Sequence, residues 1–235
     1  MNSLVPRRVH LIGIGGIGVS AIARLFLHWV SEVSGSDAKQ SEITVELERL
    51  GARISIGHAA ENIPADTELV VYSPAVPADN PERVAASERG IAQKSYPEML
   101  GELMAGTYGI AVSGTNGKTT TTALLGHILV EAGLDPTVIV GSKVGNFGGS
   151  NLRVGESEYF VVEGCEYRRH FLQLRPKMIV LTNIELDHLD YFKDFDDIKS
   201  AFREYVGLLP ADGTLVYNGD DPACVEVAAI VSDRH

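Results

Sequence analysis

The sequence predicts an α/β protein made of two parallel-sheet domains in series. Short apolar runs alternate with stretches of helical periodicity from residue 9 to residue 222, the pattern of a wound sheet covered by helices. Two glycine-rich loops, at 13–18 and 114–118, stand about 100 residues apart. Each follows an apolar run directly and leads directly into a helical stretch, so each opens its own βα series. The pattern restarts at Ile110 after a short helical connection beginning at Tyr96, which sets the domains at 1–107 and 108–235.

The first series begins with Val9-His10-Leu11-Ile12, read as a buried strand, and passes at once into Gly13-Ile14-Gly15-Gly16-Ile17-Gly18. A helix over 17–28 follows, with Ile17, Ala21, Leu25 and Phe26 at helical spacing. Strand, glycine turn and helix in this order form the dinucleotide-type fingerprint of a Rossmann-like domain. The glycines permit a tight turn and let a pyrophosphate approach the helix N-terminus. The next strand, over 30–34, ends in Gly35-Ser36-Asp37. Asp37 lies about 20 residues past the glycines, where an acid bonds a ribose hydroxyl. Gly13, Gly15, Gly16, Gly18, Ser36 and Asp37 are candidates for holding a nucleotide or nucleotide-sugar. A helix over 42–50 and strands over 52–56 and 69–72 continue the alternation. Ser73 follows the last of these, at the strand end where parallel sheets bind ligands, and joins the candidates. His58 also sits at a strand end and reads as a solvated loop residue. A helix starting near Asn80-Pro81-Glu82 and a short strand at 91–92 close the series.

The second series begins with Ile110-Ala111-Val112 and breaks into Gly114-Thr115-Asn116-Gly117-Lys118-Thr119-Thr120, ahead of a helix over 119–132 closed by Gly133. Loop N–H groups and a helix dipole converge there. Lys118 can reach the outer phosphates of a nucleotide, and the Thr119 hydroxyl can ligand Mg²⁺. The loop is a shortened P-loop, because the usual first glycine position holds Val112. A P-loop-type α/β ATPase domain is therefore expected, with 114–120 as its ATP-binding residues. After a strand over 137–140, the glycine-rich and polar segment 141–151 reads as a loop in contact with substrate. The strand over 159–162 delivers Glu163, placed to ligand Mg²⁺ or position water. Cys165, with no activating partner, reads as a small buried residue. The strand over 177–182 delivers Asn183 to Asp190, where His188 is flanked by acids and is a candidate metal ligand. Asp187 and His188 fit equally well as cap and first turn of the helix over 196–206. A strand over 213–217 and one more helix complete the chain.

Composition narrows the partners. A net charge of −11 disfavours nucleic acid and membrane surfaces, while single phosphate groups stay open because helix ends and one lysine act locally. No apolar run approaches the roughly 20 residues that cross a bilayer. The N-terminus reads without a secretory signal, and two cysteines, Cys165 and Cys224, suit a reducing cytoplasm. Oligomeric state is left open.

The ordered set Gly13-x-Gly-Gly-x-Gly18, Gly35-Ser36-Asp37, Gly114-Thr-Asn-Gly-Lys-Thr119, Glu163 and Thr182-Asn-x-x-x-Asp-His188 resembles the Mur ligases, over essentially the whole chain from Val9 to Pro222. These ATP-dependent enzymes add amino acids to the muramic acid nucleotide precursor of peptidoglycan. The opening Gly-Ile-Gly-Gly and the Gly-Ser-Asp are most similar to members that join L-alanine to UDP-N-acetylmuramate. The resemblance implies ATP and Mg²⁺ as cofactors, with UDP-N-acetylmuramate, L-alanine and ATP as small-molecule partners. It implies that Lys118 holds the β/γ-phosphates, that Thr119 and Glu163 hold one Mg²⁺, and that His188 ligands a second metal. Lys118, Glu163 and His188 would be the catalytic set, and the first glycine loop with Asp37 would hold the UDP part. Asn116 stands where alanine-adding members usually carry histidine, and the family's third, amino-acid-binding domain has no counterpart here, so the chain reads as a fragment whose central domain is incomplete. A ligase that recycles a murein tripeptide onto the same nucleotide shares most of these motifs. A non-catalytic nucleotide-binding fragment is also compatible. An NAD(P) oxidoreductase accounts for residues 13–37 alone and leaves the second loop without a role.

Overall fold

The structure, a computed structural model, describes residues 6–29 and 31–232. Packing divides the chain into two compact units, Met1–Met99 and Leu100–His235. Each is a parallel α/β sheet, as the alternation of apolar runs requires.

In the first unit the elements run β1 (Arg8–Ile12), α1 (Ile17–His28), β2 (Glu32–Asp37), α2 (Glu42–Arg49), β3 (Arg53–Ile56), β4 (Leu69–Tyr72), α3 (Pro81–Glu88) and β5 (Ala92–Ser95). The strands pair in the order β3-β2-β1-β4-β5, all parallel. Chain order reverses at β1, which has β2 on one side and β4 on the other, so the crevice beyond its C-terminal end is the natural ligand position. The central strands are apolar on both faces: Val9, Leu11 and Ile12 of β1 and Val70 and Val71 of β4 are fully or almost fully buried. Ala21, Ile22, Leu25 and Phe26 of α1 are buried as well. The helix ends at Trp29, whose N–H donates to Leu25 O at 3.1 Å and whose ring meets Phe26 edge-on at 6.2 Å. Residue 30, where the sequence starts the second strand, lies outside the described residues, and that strand runs on to Asp37.

The helix α4 (Tyr96–Met104) contains the division between the units. The second unit continues with β6 (Tyr108–Ser113), α5 (Lys118–Glu131), β7 (Thr137–Val144), β8 (Ser150–Arg153), β9 (Tyr159–Gly164), β10 (Met178–Leu181), α6 (Phe195–Val206), β11 (Thr214–Tyr217) and α7 (Pro222–Ser232). Its sheet order is β11-β10-β6-β9-β7-β8. Only the pair β7 and β8 is antiparallel. The strand that leads into the second glycine loop, β6, therefore sits between β9 and β10, and their C-terminal ends surround that loop. Behind it, Phe171 stacks on the buried Tyr205 at 4.2 Å, and the Tyr205 hydroxyl is bonded to Ser113 at the end of β6.

Three expectations change. Segment 141–151 is not a plain loop, because β7 extends to Val144 and turns back as β8 through a short 3₁₀ segment. Its glycines, read as loop formers, serve the hairpin turn, with Gly148 at φ 66° and Gly149 at φ 78°. Cys165 is exposed rather than buried, since it lies just past the end of β9 where the chain leaves the sheet. Asp187 and His188 do not start α6; Asp194 caps it, accepting from the Asp197 N–H at 2.9 Å.

Candidate functional site

The loop after β1 is built from backbone. Gly13, at φ 77°, and Ile14 donate N–H bonds to Ser36 O at 2.8 and 3.0 Å, which ties the loop to the end of β2. Gly15 N–H donates to Asp37 Oδ2 at 2.9 Å. A side chain at Gly15 would meet that same carboxylate at 2.9 Å, and one at Gly18 would strike the Tyr96 ring at 2.7 Å. Gly16 begins α1 with no side-chain cap, so this helix start is suited to an anion. Ser73 lies across the loop, its Cβ 3.0 Å from where a Cβ on Gly13 would fall. Asp37, the glycines and Ser73 are thus brought together at the ends of β1, β2 and β4.

Ser36 contributes its carbonyl but not its side chain. It is fully buried, and its hydroxyl donates to Glu82 Oε2 at 2.6 Å. Glu82 is 0% exposed and anchors a polar cluster inside the unit. His10 Nε2 lies 3.0 Å from Oε2, while Asn62 Nδ2 and Ala59 N–H donate to Oε1 at 2.7 and 3.2 Å. Burial pushes the Glu82 carboxyl up, but the bonds from His10, Ser36 and Asn62 and the charge on His10 more than offset this and hold it at about 2. His58, read from sequence as solvated, joins this cluster through Ser36 Oγ at 3.1 Å.

The second loop is clamped from below by the chain after β10. Asn116 N–H donates to Asn183 Oδ1 at 2.9 Å, Asn116 O accepts from Thr182 Oγ1 at 2.7 Å, and Asn116 Nδ2 donates to Glu185 at 3.1 Å. Thr115 exchanges bonds with the Glu185 backbone through its hydroxyl. Gly114 sits at φ 134°, and a Cβ there would lie 2.2 Å from Thr182 Oγ1. Gly117, at φ 81°, turns the chain into α5, whose first turn has no side-chain cap. Its leading N–H groups and dipole are left to an anion. Thr120, the third residue of α5, is exposed.

The charged groups gather at this helix start. Thr119 Oγ1 donates to Glu163 Oε2 at 3.1 Å, and Gly141 N–H donates to Glu163 Oε1 at 2.5 Å. Register explains the contact, because β9 pairs Glu163 with Val112 of β6, two residues before Gly114. Lys118 Nζ donates to Gly114 O at 2.6 Å and Thr115 O at 3.0 Å, and lies 3.1 Å from both carboxylate oxygens of Glu166. Glu166 is 2% exposed, and its buried Oε2 has the Lys118 ammonium as ion-pair partner but accepts no further hydrogen bond. His188 Nε2 stands 3.7 Å from Glu166 Oε1 and 3.9 Å from Asp187 Oδ2. One ligand atom from each of Glu166, Asp187 and His188 lies within 4.8 Å of the others. A buried carboxylate beside a second carboxylate and an imidazole is a donor set that fits a divalent cation. His188 is held at φ 52°, an uncommon setting for a side chain other than glycine and one that recurs at functional sites. Cys165 is exposed as a residue, yet desolvation by the protein around its sulfur, and then the charge of Glu166, push the thiol up, which disfavours a nucleophilic role.

A family model described as Mur ligase family, catalytic domain, matches residues 8–108, and one described as Mur ligase middle domain matches residues 112–235. The chain belongs to the Mur ligase family. A UDP-N-acetylmuramate–L-alanine ligase of Clostridium novyi is 48% identical over 223 residues, which are 94% of this chain and 48% of the relative. The crystal structure of the UDP-N-acetylmuramate–alanine ligase of Thermotoga maritima matches with a TM-score of 0.83 at 31% identity, over 94% of this chain and 51% of that one. The structure of UDP-N-acetylmuramate:L-alanyl-γ-D-glutamyl-meso-diaminopimelate ligase from Neisseria meningitides matches with a TM-score of 0.87 at 30% identity, over 95% and 75%. The chain spans about half the length of the curated relatives it matches.

In this Mur ligase chain, sequence reasoning singles out Lys118, Thr119, Glu163 and His188 but assigns no role to Glu166, Asn183 and Glu185. Their signal was position alone, since all three lie within four residues of a strand end beside the loop. Which of several strand-end polar residues turns inward is decided by the backbone turn and not by residue type.

Proposed function

We propose that this chain is the nucleotide-handling part of an ATP-dependent ligase that joins L-alanine to the carboxylate of UDP-N-acetylmuramate through an acyl phosphate. The observation that carries the reading is the convergence of Lys118, Thr119, Glu163 and His188 on the uncapped N-terminus of α5. The identity to relatives named for this reaction supports the choice of substrate. ATP phosphorylates the substrate carboxylate, the amino group of L-alanine attacks the acyl phosphate, and ADP and phosphate leave. The protein's work is to position and neutralise charge. Residues 114–117 and the first turn of α5 cradle the phosphates with N–H groups, and Lys118 donates to the outer ones. Mg²⁺ would supply charge neutralisation on the transferring phosphoryl group, with Thr119 and Glu163 to hold one ion and His188, beside Asp187 and Glu166, to hold a second. In the first domain, 1–107, the loop 13–18 with Asp37 and Ser73 receives the UDP moiety. The second, 108–235, receives ATP. A cytoplasmic setting agrees with the two unpaired cysteines; among the described residues no helix is long and apolar enough to cross a membrane.

The reading is tested by calorimetric titration with UDP-N-acetylmuramate and, separately, NADH. Binding of the sugar nucleotide alone is the expected outcome; binding of NADH instead would overturn it. Addition of a murein tripeptide in place of L-alanine is the second reading, favoured by the match to the Neisseria ligase. Phosphate release by a full-length homologue carrying these residues, stimulated by L-alanine or by tripeptide, separates the two.

A further inference from the structure

We propose that Glu166 makes the loop 114–119 selective for the cation-complexed form of its nucleotide over the free nucleotide. The inference rests on the reading of that loop as a triphosphate site. Lys118 is already fully engaged in the structure: its ammonium donates to the carbonyls of Gly114 and Thr115 and faces both oxygens of Glu166. A triphosphate that draws Lys118 onto its outer phosphates removes the ammonium paired with a carboxylate whose side chain is 3% exposed. Glu166 is then left charged and buried, and it faces the incoming phosphate charge across a poorly solvated gap. Both effects oppose binding.

A divalent cation arriving with the phosphates reverses this. Apart from the Lys118 ammonium, Glu166 Oε2 has no hydrogen-bond partner, and one ligand atom each from Glu166, Asp187 and His188 lies within 4.8 Å of the others. The cation takes over Glu166 as the lysine leaves it, so the carboxylate changes partner without ever being unpaired. Glu163 has no such dependence, because Thr119 and the Gly141 N–H hold it independently of Lys118. Glu166 is thus a positioning residue that acts on phosphate through Lys118 and the cation. Just beyond it, Arg168 and Arg169 both adopt left-handed φ, at 51° and 58°, and Arg169 is tied down by Asp197 and Glu204.

The test is calorimetric binding of a non-hydrolysable ATP analogue to the 235-residue chain, once with excess Mg²⁺ and once with excess chelator. The ratio of the two dissociation constants measures the help given by the cation. In Glu166→Gln, binding in chelator is expected to tighten about tenfold, and the Mg²⁺ ratio to fall by at least the same factor, the size of one buried charge contact. If Glu166 only supports the fold, both constants shift together, the ratio is unchanged and the inference fails while the loop reading stands. A wild-type chain that binds no analogue even with Mg²⁺ overturns the loop reading and this inference with it. A measurement on the wild type covers the case of a variant that does not fold. Acylation of the Lys118 amine, followed by peptide mass, is expected to speed up several-fold when Mg²⁺ is added without nucleotide. An unchanged rate overturns the inference.

Discussion

Burying a carboxylate as completely as Glu82 favours its neutral form, yet this one stays ionised because every neighbour that faces it donates or carries positive charge. Its folded pKa of about 2 lies below the ordinary 4.5, so the ionised form contributes stability that is complete above about pH 4.5 and lost as pH falls toward 2. The contribution is on the order of 3 kcal/mol. Glu82→Gln is expected to lower the thermal midpoint at pH 7 and to flatten the acid limb of stability against pH; an unaltered acid limb would remove Glu82 as its cause. Lys118 is coupled in the same way to Glu166. Lys118→Ala is expected to abolish nucleotide binding and also to cost about 3 kcal/mol, because it leaves Glu166 buried and unpaired. Lys118→Ala combined with Glu166→Gln should recover most of that stability without recovering binding. Urea titrations of the single and double variants check the cycle, and strictly additive losses would refute the coupling. None of this is visible in the sequence. Asn80-Pro81-Glu82 announces a helix start, but not that the glutamate points into the unit. Likewise Glu166 differs from Glu163 only in what the turn after β9 does with it.

The elements themselves were far more legible than these contacts. Apolar runs at 9–12, 69–72, 110–112 and 159–162 became β1, β4, β6 and β9, because a strand buried on both faces has little choice of residue. Both glycine loops sit at the predicted strand-to-helix turns, where positive φ at Gly13, Gly114 and Gly117 leaves room for no other residue type without strain. What escaped was the antiparallel β8 with its hairpin, whose glycines and polar residues hide the alternation that marks a strand. The cap of α6 also escaped, since Asp187 and Asp194 are equivalent as residue types and only the turn closed by His188 O to Tyr191 and Phe192 N–H separates them. The loop before α5 allows a sharp prediction at this scale. Gly114→Ala would place a methyl 2.2 Å from Thr182 Oγ1 and 2.8 Å from Asn183 O, with a φ unsuited to alanine. It is expected to cost more than about 2 kcal/mol and to unseat the loop from its clamp. Denaturation and nucleotide titration of the variant read both effects, and wild-type binding would show that the clamp is dispensable.

At the scale of the molecule, two α/β units follow one another in the chain, each with a glycine loop at the C-terminal end of a central strand. The chain matches about half the length of the relatives that carry the L-alanine ligase name. These 235 residues by themselves are expected to bind the sugar nucleotide and ATP and to release no phosphate in response to L-alanine. Calorimetry and a phosphate assay check the two halves of that statement, and alanine-dependent turnover would refute the second.

Trp29 is the single tryptophan of the chain, and it lies at the end of α1 in the first unit, half-exposed against the edge of Phe26. Excitation at the red edge of tryptophan absorption therefore yields emission from the first unit alone, because the second holds no tryptophan. A change in that emission on adding a ligand reports on the surroundings of the C-terminal end of α1, with no label attached.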